Sequence, residues 1–474
     1  MISTKITCTL GPSCGTEADI LRLARAGMSV ARINLSHGTR DQHRKTIQTL
    51  HSVNKTLASH ASHPTCIGIL LDTKGAEVRT GIVDTPLQIA KDEDVVFSPV
   101  PVPGEKRQVV IVNHKHFNKD AKQAETILLD NGKLTFELVS INKNGTVVAR
   151  AREDGSIGSR RHVNLPGANL DMPSLTDKDW EDIDQGTTEG VDFLGLSFIR
   201  EAREIEEVRN HLRKKKRTAQ IIAKVETRQA VANMESIIEA SDGIMVARGD
   251  LGAEVPFERI PVIQDQLVSL SRIAGKPVIV ATHMLESMCE NPMPTRAEVT
   301  DIAHAASTFT DMTMLSGETA SGKHPLASLE AMVRVLTATE THLEGMRRMV
   351  DAPVRTEREA RAQAAVTLAL STNASAIVVM SRTGQNVRDI CRYRPRLPVI
   401  GFTPDIETQR SLQLTYGVIP LMIDFNKDPE KTVTEAFAMA RERKLLKRGE
   451  KCVLLSDSKA HDLTVSTVQI RTIA

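Results

Sequence analysis

Eight short runs of apolar and β-branched residues, most of them separated by stretches of helical period, constrain the fold of this chain more than any other feature. The runs are Ile6 to Leu10, Val30 to Leu35, Ile67 to Leu71, Phe193 to Phe198, Ile221 to Val225, Gly243 to Ala247, Val278 to Ala281 and Met312 to Leu315. Amphipathic stretches lie at Glu17 to Ala26, Asp41 to Leu57, Ile205 to Lys214, Ala230 to Ala240, Pro261 to Ala274, Arg296 to Ala306 and Pro325 to His342. Helices of that spacing cover a parallel sheet on its outer face. Eight strand and helix units joined by right-handed crossovers predict a closed (β/α)8 TIM barrel.

The third unit is interrupted. After Leu71 the helical pattern gives way for roughly a hundred residues to alternation and turn signals, Asp130-Asn131-Gly132, Asn144-Gly145 and Asp154-Gly155 among them, which predict β-hairpins. An all-β lid domain is expected at 72–169, inserted into a barrel domain made of 1–71 and 170–344. The chain returns through an extended hinge near Val163 to Pro173, and Thr176 with Asp177 starts a capped helix. From 345 to 474 a second α/β pattern predicts a smaller, mainly parallel open sheet built on Ala376 to Met380, Val399 to Phe402, Val418 to Ile423 and Cys452 to Leu455. A length of 474 residues accommodates about three domains at the usual size.

Composition narrows the function. The 61 Lys and Arg against 59 Asp and Glu leave a net charge of +2, too balanced for a chain devoted to the nucleic-acid backbone, and 3% aromatics supply few stacking platforms. No apolar run reaches the roughly 18 residues of a membrane span and no signal-peptide pattern opens the chain, so a cytoplasmic protein is expected. Six scattered cysteines without CxxC spacing are expected to be reduced thiols. The basic run Arg213 to Arg217 is expected to end a helix, and the His60/His63 and His114/His116 pairs to lie on the surface.

Active sites of such barrels gather at the C-terminal ends of the strands. There the chain places Arg32, Asn34, Ser36 and His37, then Asp72, Thr73 and Lys74, then Lys224 and Glu226, Arg248 and Asp250, Thr282, and Ser316 with Glu318. Side chains alternate along a strand, so Ile222, Lys224 and Glu226 share one face and bring a cation and a carboxylate into the mouth together. Glu226 and Asp250, without clustered His or Cys, suit a hard divalent cation completed by substrate and water oxygens. Arg32, Lys74, Arg79 and Lys224 add the positive charge that a phosphorylated ligand requires.

The motifs carrying these residues resemble the pyruvate kinase family along nearly the whole chain: TKITCTLGP from Thr4, VARINLSHG from Val30, LDTKGAEVRTG from Leu71, VNLPG from Val163, IIAKVE from Ile221, MVARGDLG from Met245, NPMPTRAEV from Asn291 and MLSGETASG from Met314. The resemblance implies phosphoryl transfer from phosphoenolpyruvate to ADP, the last step of glycolysis. It implies Lys224, Arg32, Thr282 and Ser316 as catalytic residues, and Gly249 and Asp250 as joining Arg32, Lys224 and Thr282 around the substrate. It further implies Glu226 and Asp250 on Mg²⁺ or Mn²⁺, Asn34, Ser36, Asp72 and Thr73 on K⁺, and His37, Arg79 and Arg161 on the nucleotide. Glu77, where some relatives carry a lysine, implies K⁺ dependence. A homotetramer is the family's usual assembly. A sugar-phosphate effector in the loop Ser381 to Asn386 is also implied, although the family's glycine-rich final loop reads here Ser458 to Leu463.

The chain departs from the family at Arg161-His162, where lysine-glycine is usual, at Ser321 for a lysine with Lys323 nearby, at Ala76 for a proline, at His283 for a glutamine, and at Thr308-Phe309 for aspartate-glycine. Two other readings share the metal carboxylates. One is a Mg²⁺-dependent enolpyruvate lyase or mutase, which would need no nucleotide lid. The other is a pyruvate-kinase-like protein that binds metabolites without turning them over.

Overall fold

The computed structural model describes residues 2–59, 66–130, 132–344, 352–460 and 463–473. Eight parallel strands, Lys5–Thr9, Val30–Asn34, Gly68–Asp72, Phe193–Leu196, Gln220–Val225, Gly243–Ala247, Val278–Ala281 and Met312–Leu315, follow one another round a closed barrel, with Lys5 opposite Met312 sealing it. A parallel barrel buries both faces of every strand, which is why the runs are continuously apolar. In Gln220–Val225 the alternation separates two cores. Ile222 joins Val30, Leu70, Phe193, Met245 and Met312 inside the barrel, whereas Ile221, Ala223 and Val225 pack outward with the helices. Leu414, far along the chain, also belongs to the interior layer.

One helix expected as a single piece is two. Ala230 to Ala240 divides into Arg228–Ala232 and Met234–Ala240, because Asn233 leaves helical geometry and its amide donates to Arg200 O at 2.9 Å. The basic run ends a helix as expected: Ala202–Lys215 stops at Lys216, which holds a left-handed conformation.

The inserted β region has a six-stranded sheet ordered Val163–Asn164, Thr126–Leu129, Leu134–Ile141, Val147–Ala151, Asp94–Ser98, Val109–Ile111. Its core holds Phe97, Phe117 and Phe136, with Phe97 and Phe136 edge to face at 5.2 Å. The Asp154-Gly155 turn makes no hairpin with the preceding strand. Val147–Ala151 already has neighbours on both sides, so Gly155–Ile157 pairs instead with Leu87–Ile89. His114 corrects another expectation: it is 4% exposed and its Nε2 lies 2.6 Å from Asp120 Oδ2, because the short helix Phe117–Asp120 brings that carboxylate inward. His116 is half-exposed beside Asp171, while His60 and His63 lie outside the described residues.

The C-terminal sheet runs Val418–Met422, Val399–Thr403, Ala376–Met380, Lys451–Ala460, Leu463–Thr472, all parallel except the last, which is antiparallel to its neighbour. Helices Glu357–Ser371, Gln385–Cys391, Ile406–Ser411 and Pro429–Glu442 accompany it. Phe309 holds φ +63°, a left-handed conformation costly for a side chain, and its ring faces the Arg272 guanidinium at 6.0 Å.

Candidate active site

The barrel mouth is organised round Lys224, the penultimate residue of its strand. Its Nζ lies 3.1 Å from Asp72 Oδ1 and 2.8 Å from Glu226 Oε1, and donates to Ser197 Oγ at 2.7 Å. Asp72 Oδ2 accepts from Arg32 Nε at 2.6 Å, and Arg32 Nη1 reaches Thr9 Oγ1 at 3.0 Å. Four barrel strands thus contribute to one network. Burial disfavours the Asp72 charge, but Arg32 and Lys224 outweigh it and hold the carboxyl below its ordinary range. Burial likewise works against the Lys224 ammonium, yet Asp72 and Glu226 prevail and raise its pKa.

Glu226 is fully buried. Its Oε2 accepts from Phe198 N at 2.7 Å, while Oε1 has only the Lys224 ammonium beside it at 2.8 Å. Burial pushes this carboxyl up to about 7, Lys224 opposing and Asp250 adding to the rise. A buried carboxylate whose charge is disfavoured by a second carboxylate, Asp250, fits a divalent cation, which would hold both groups ionised. Among the described residues no group of three or more His, Cys, Asp or Glu could hold a metal, so the remaining ligands would be substrate and water oxygens.

Across the mouth, Gly249 N donates to Thr282 Oγ1 at 2.8 Å, and Thr282 Oγ1 to Ala281 O at 2.6 Å. Arg248 points away from the mouth: it pairs with Asp301 at 2.7 Å and donates to the carbonyls of Ala281 and Thr282. Thr282, His283 and Phe198 all take left-handed backbone, at φ +68°, +54° and +55°. Three such non-glycine residues at strand ends store strain where the site is built. Glu318 is fully buried and accepts from Leu285 N and Ser316 N, joining the loops after strands seven and eight, and Ser316 Oγ has no hydrogen-bond partner among the described residues.

Thr73 and Asp72 also meet the fourth strand: Ser197 Oγ donates to Thr73 O at 2.6 Å, and Thr73 Oγ1 accepts from Ser197 N at 3.1 Å. Asn34 Oδ1 accepts from Ser36 N, and Ser36 and His37 are exposed, with no side-chain hydrogen bond or ion pair to the Lys224 network among the described residues. Arg79 and Arg161 sit together at the base of the β region, where Arg79 bridges His162, pairs with Glu77 at 2.5 Å and donates to Arg160 O. Ala76 N donates to Ser174 O at 3.0 Å, a bond that a proline there could not make. Lys323 extends to Glu290 on the surface. Ser197 and Phe198 are the functional neighbours that sequence patterning passed over. The available signal was Ser197 itself, a polar residue breaking an apolar run at a barrel strand end.

Residues 1–329 match the family model for the barrel domain of pyruvate kinase, and residues 359–470 match that for its alpha/beta domain. The chain belongs to the pyruvate kinase family. The plastidial pyruvate kinase 2 of Arabidopsis thaliana is 38% identical over 457 residues, spanning 95% of this chain and 77% of that protein. The pyruvate kinase of Staphylococcus saprophyticus is 36% identical over 460 residues, spanning 96% and 77%. A crystal structure of a pyruvate kinase from Cryptosporidium parvum superposes with a TM-score of 0.91 at 33% identity, covering 100% of this chain and 96% of that one. The chain is an enzyme, a phosphotransferase with pyruvate kinase activity.

Proposed function

We propose that Lys224 is the centre of phosphoryl transfer from phosphoenolpyruvate to ADP, giving pyruvate and ATP in the last step of glycolysis. The observation that carries this is the Lys224 ammonium held between Asp72, Glu226 and Ser197 at the barrel mouth, with Arg32 one carboxylate away. Together Arg32 and Lys224 offset the charge on the transferring group and on the enolate it leaves. The ester O–P bond of the substrate breaks, a terminal phosphate oxygen of ADP bonds to phosphorus, and the enolate carbon takes a proton from water near Thr282 and Ser316. Backbone N–H groups around Gly249 and Asp250 hold the substrate carboxylate.

Glu226 and Asp250 hold Mg²⁺ or Mn²⁺, which when bound offsets charge across the substrate oxygens. Asn34, Ser36, Asp72 and Thr73 hold K⁺, with Glu77 leaving that requirement in place. His37, Arg79 and Arg161 meet the nucleotide as residues 72–169 close as a lid over the barrel of 1–71 and 170–344. The region 345–474 carries the effector: a cavity of about 650 Å³ behind Ser381, Arg382, Thr383 and Lys427 suits a sugar phosphate. Phe257 and Met293, 82% and 74% exposed, give apolar surface that further copies of the chain cover in a homotetramer. No described helix is long and apolar enough to cross a membrane, and the cytoplasm is the proposed location.

The test is pyruvate and ATP formation from phosphoenolpyruvate and ADP, with and without Mg²⁺ and K⁺, beside Lys224→Met. Turnover that needs Mg²⁺ and collapses in the variant supports these assignments. Folded protein that binds phosphoenolpyruvate without turnover would overturn them in favour of a metabolite-binding role.

A further inference from the structure

The loops that carry Glu226 and Asp250 meet behind the mouth at a third carboxylate, Glu254, to which the reaction above gives no part. Glu226 directly follows the strand Gln220–Val225, and Thr227 then caps the short helix Arg228–Ala232, its Oγ1 accepting from Ala230 N at 3.1 Å. The first N–H groups of a helix have no partner within it. That of Arg228 finds one in the Glu254 carboxylate. Asp250 lies four residues before Glu254 on one tight turn, in which Ala253 N donates to Asp250 O at 3.1 Å and Glu254 N to Leu251 O at 3.0 Å, with the Leu251 side chain fully buried as its anchor. At that spacing both acids stand on one side of the turn.

A third tie comes from the β region. Asn164, buried on the strand Val163–Asn164 that returns the chain toward the barrel, donates from Nδ2 to Glu254 Oε1 at 3.2 Å. Burial pushes the Glu254 carboxyl up to about 6, the bonds from Asn164 and Arg228 opposing the rise and Asp250 adding to it. We propose that Glu254 is a positioning residue for the divalent cation: by tying the Arg228 N–H to the turn of Asp250 it sets the separation of Glu226 from Asp250, and through Asn164 it links that separation to the β region. The inference rests on the reading that Glu226 and Asp250 hold the metal. Groups that orient metal ligands without touching the ion are worth about 10–100-fold in affinity, because ligands held at their spacing beforehand lose less freedom when the ion arrives.

The experiment is Mn²⁺ binding to the full-length protein without substrates, followed by electron paramagnetic resonance of the free ion, so that no turnover enters the readout. Glu254→Asp keeps the charge but falls one methylene short of Arg228 N and Asn164, and should weaken Mn²⁺ binding about tenfold. Glu254→Gln loses the charge but keeps the reach: its oxygen accepts from Arg228 N, and its amide meets Asn164 Oδ1, which has no hydrogen-bond partner among the described residues. It should bind within about threefold of wild type. Asn164→Ala should weaken binding on its own and add nothing to Glu254→Asp, as two groups acting through one contact require. The reverse order of Asp and Gln, or wild-type affinity in Glu254→Asp, overturns the positioning role. Glu226→Gln separates the two failures: if it binds Mn²⁺ as wild type does, the metal assignment falls, whereas loss of binding there with full affinity in Glu254→Asp removes only the role of Glu254.

Discussion

Lys224 stands within 3.1 Å of Asp72 and 2.8 Å of Glu226, so replacing it leaves Asp72 to Arg32 alone and buried Glu226 without its neighbouring cation. Lys224→Met should lower kcat by about 10²–10³-fold or more, the range seen when one group that meets transition-state charge is removed. The KM for phosphoenolpyruvate should change less, which steady-state kinetics with both substrates varied will show. Arg161 is proposed for the nucleotide instead. It is half-exposed at the base of the β region with Asp130 at 3.5 Å, so on that proposal Arg161→Ala should raise the KM for ADP several-fold and leave that for phosphoenolpyruvate nearly unchanged. Equal changes in both constants would remove Arg161 from the nucleotide site.

Among the elements, helix Asp177–Thr188 anchors the return of the chain from the β region to the barrel. Thr176 and Asp179 form a capping box, and Asp179 Oδ1 also accepts from Lys74 N and Gly75 N, both at 3.1 Å. One buried carboxylate therefore ties the helix to the loop that leads into the β region. Thr176→Ala should cost about 1 kcal/mol, the usual loss for a cap. Asp179→Ala strands several buried donors and should cost about 3 kcal/mol or more, with a matching fall in kcat. Thermal melts of both variants beside wild type check the ranking. The capped start at Thr176 was legible in the sequence because capping is local. Asp179's second task was not, since Lys74 lies about a hundred residues away in the chain.

For the whole molecule, the seam between barrel and C-terminal region rests on buried ion pairs. Arg394 grips both oxygens of Asp311 at 3.0 and 2.6 Å, and each residue is nearly inaccessible. Asp311→Ala leaves that guanidinium unpaired and should cost about 3–5 kcal/mol, measured by denaturant unfolding. Asp192 behaves differently: burial outweighs Arg410 and raises its carboxyl to about 6. The folded state then binds a proton more tightly than the unfolded chain. Its stabilising contribution is present below pH 4 and is lost as pH rises through 6, by about 3 kcal/mol at roughly 1.4 kcal/mol per unit. Asp192→Asn should remove that part of the pH dependence, which unfolding midpoints at pH 4.5 and 6.5 in both proteins will test.

The sequence by itself determined the barrel, the β insertion, the second α/β region and the rim residues, because strand period, turn chemistry and caps are written within a few residues of where they act. It also placed Lys224 and Glu226 on one face, a consequence of alternation alone. Only the tertiary structure decided that Ser197 and Asp72 would complete the Lys224 network and that Leu414 would enter the barrel interior. Such pairings depend on which strand ends and loops meet in space, and the local periodicities that specify each element carry no record of its distant neighbours.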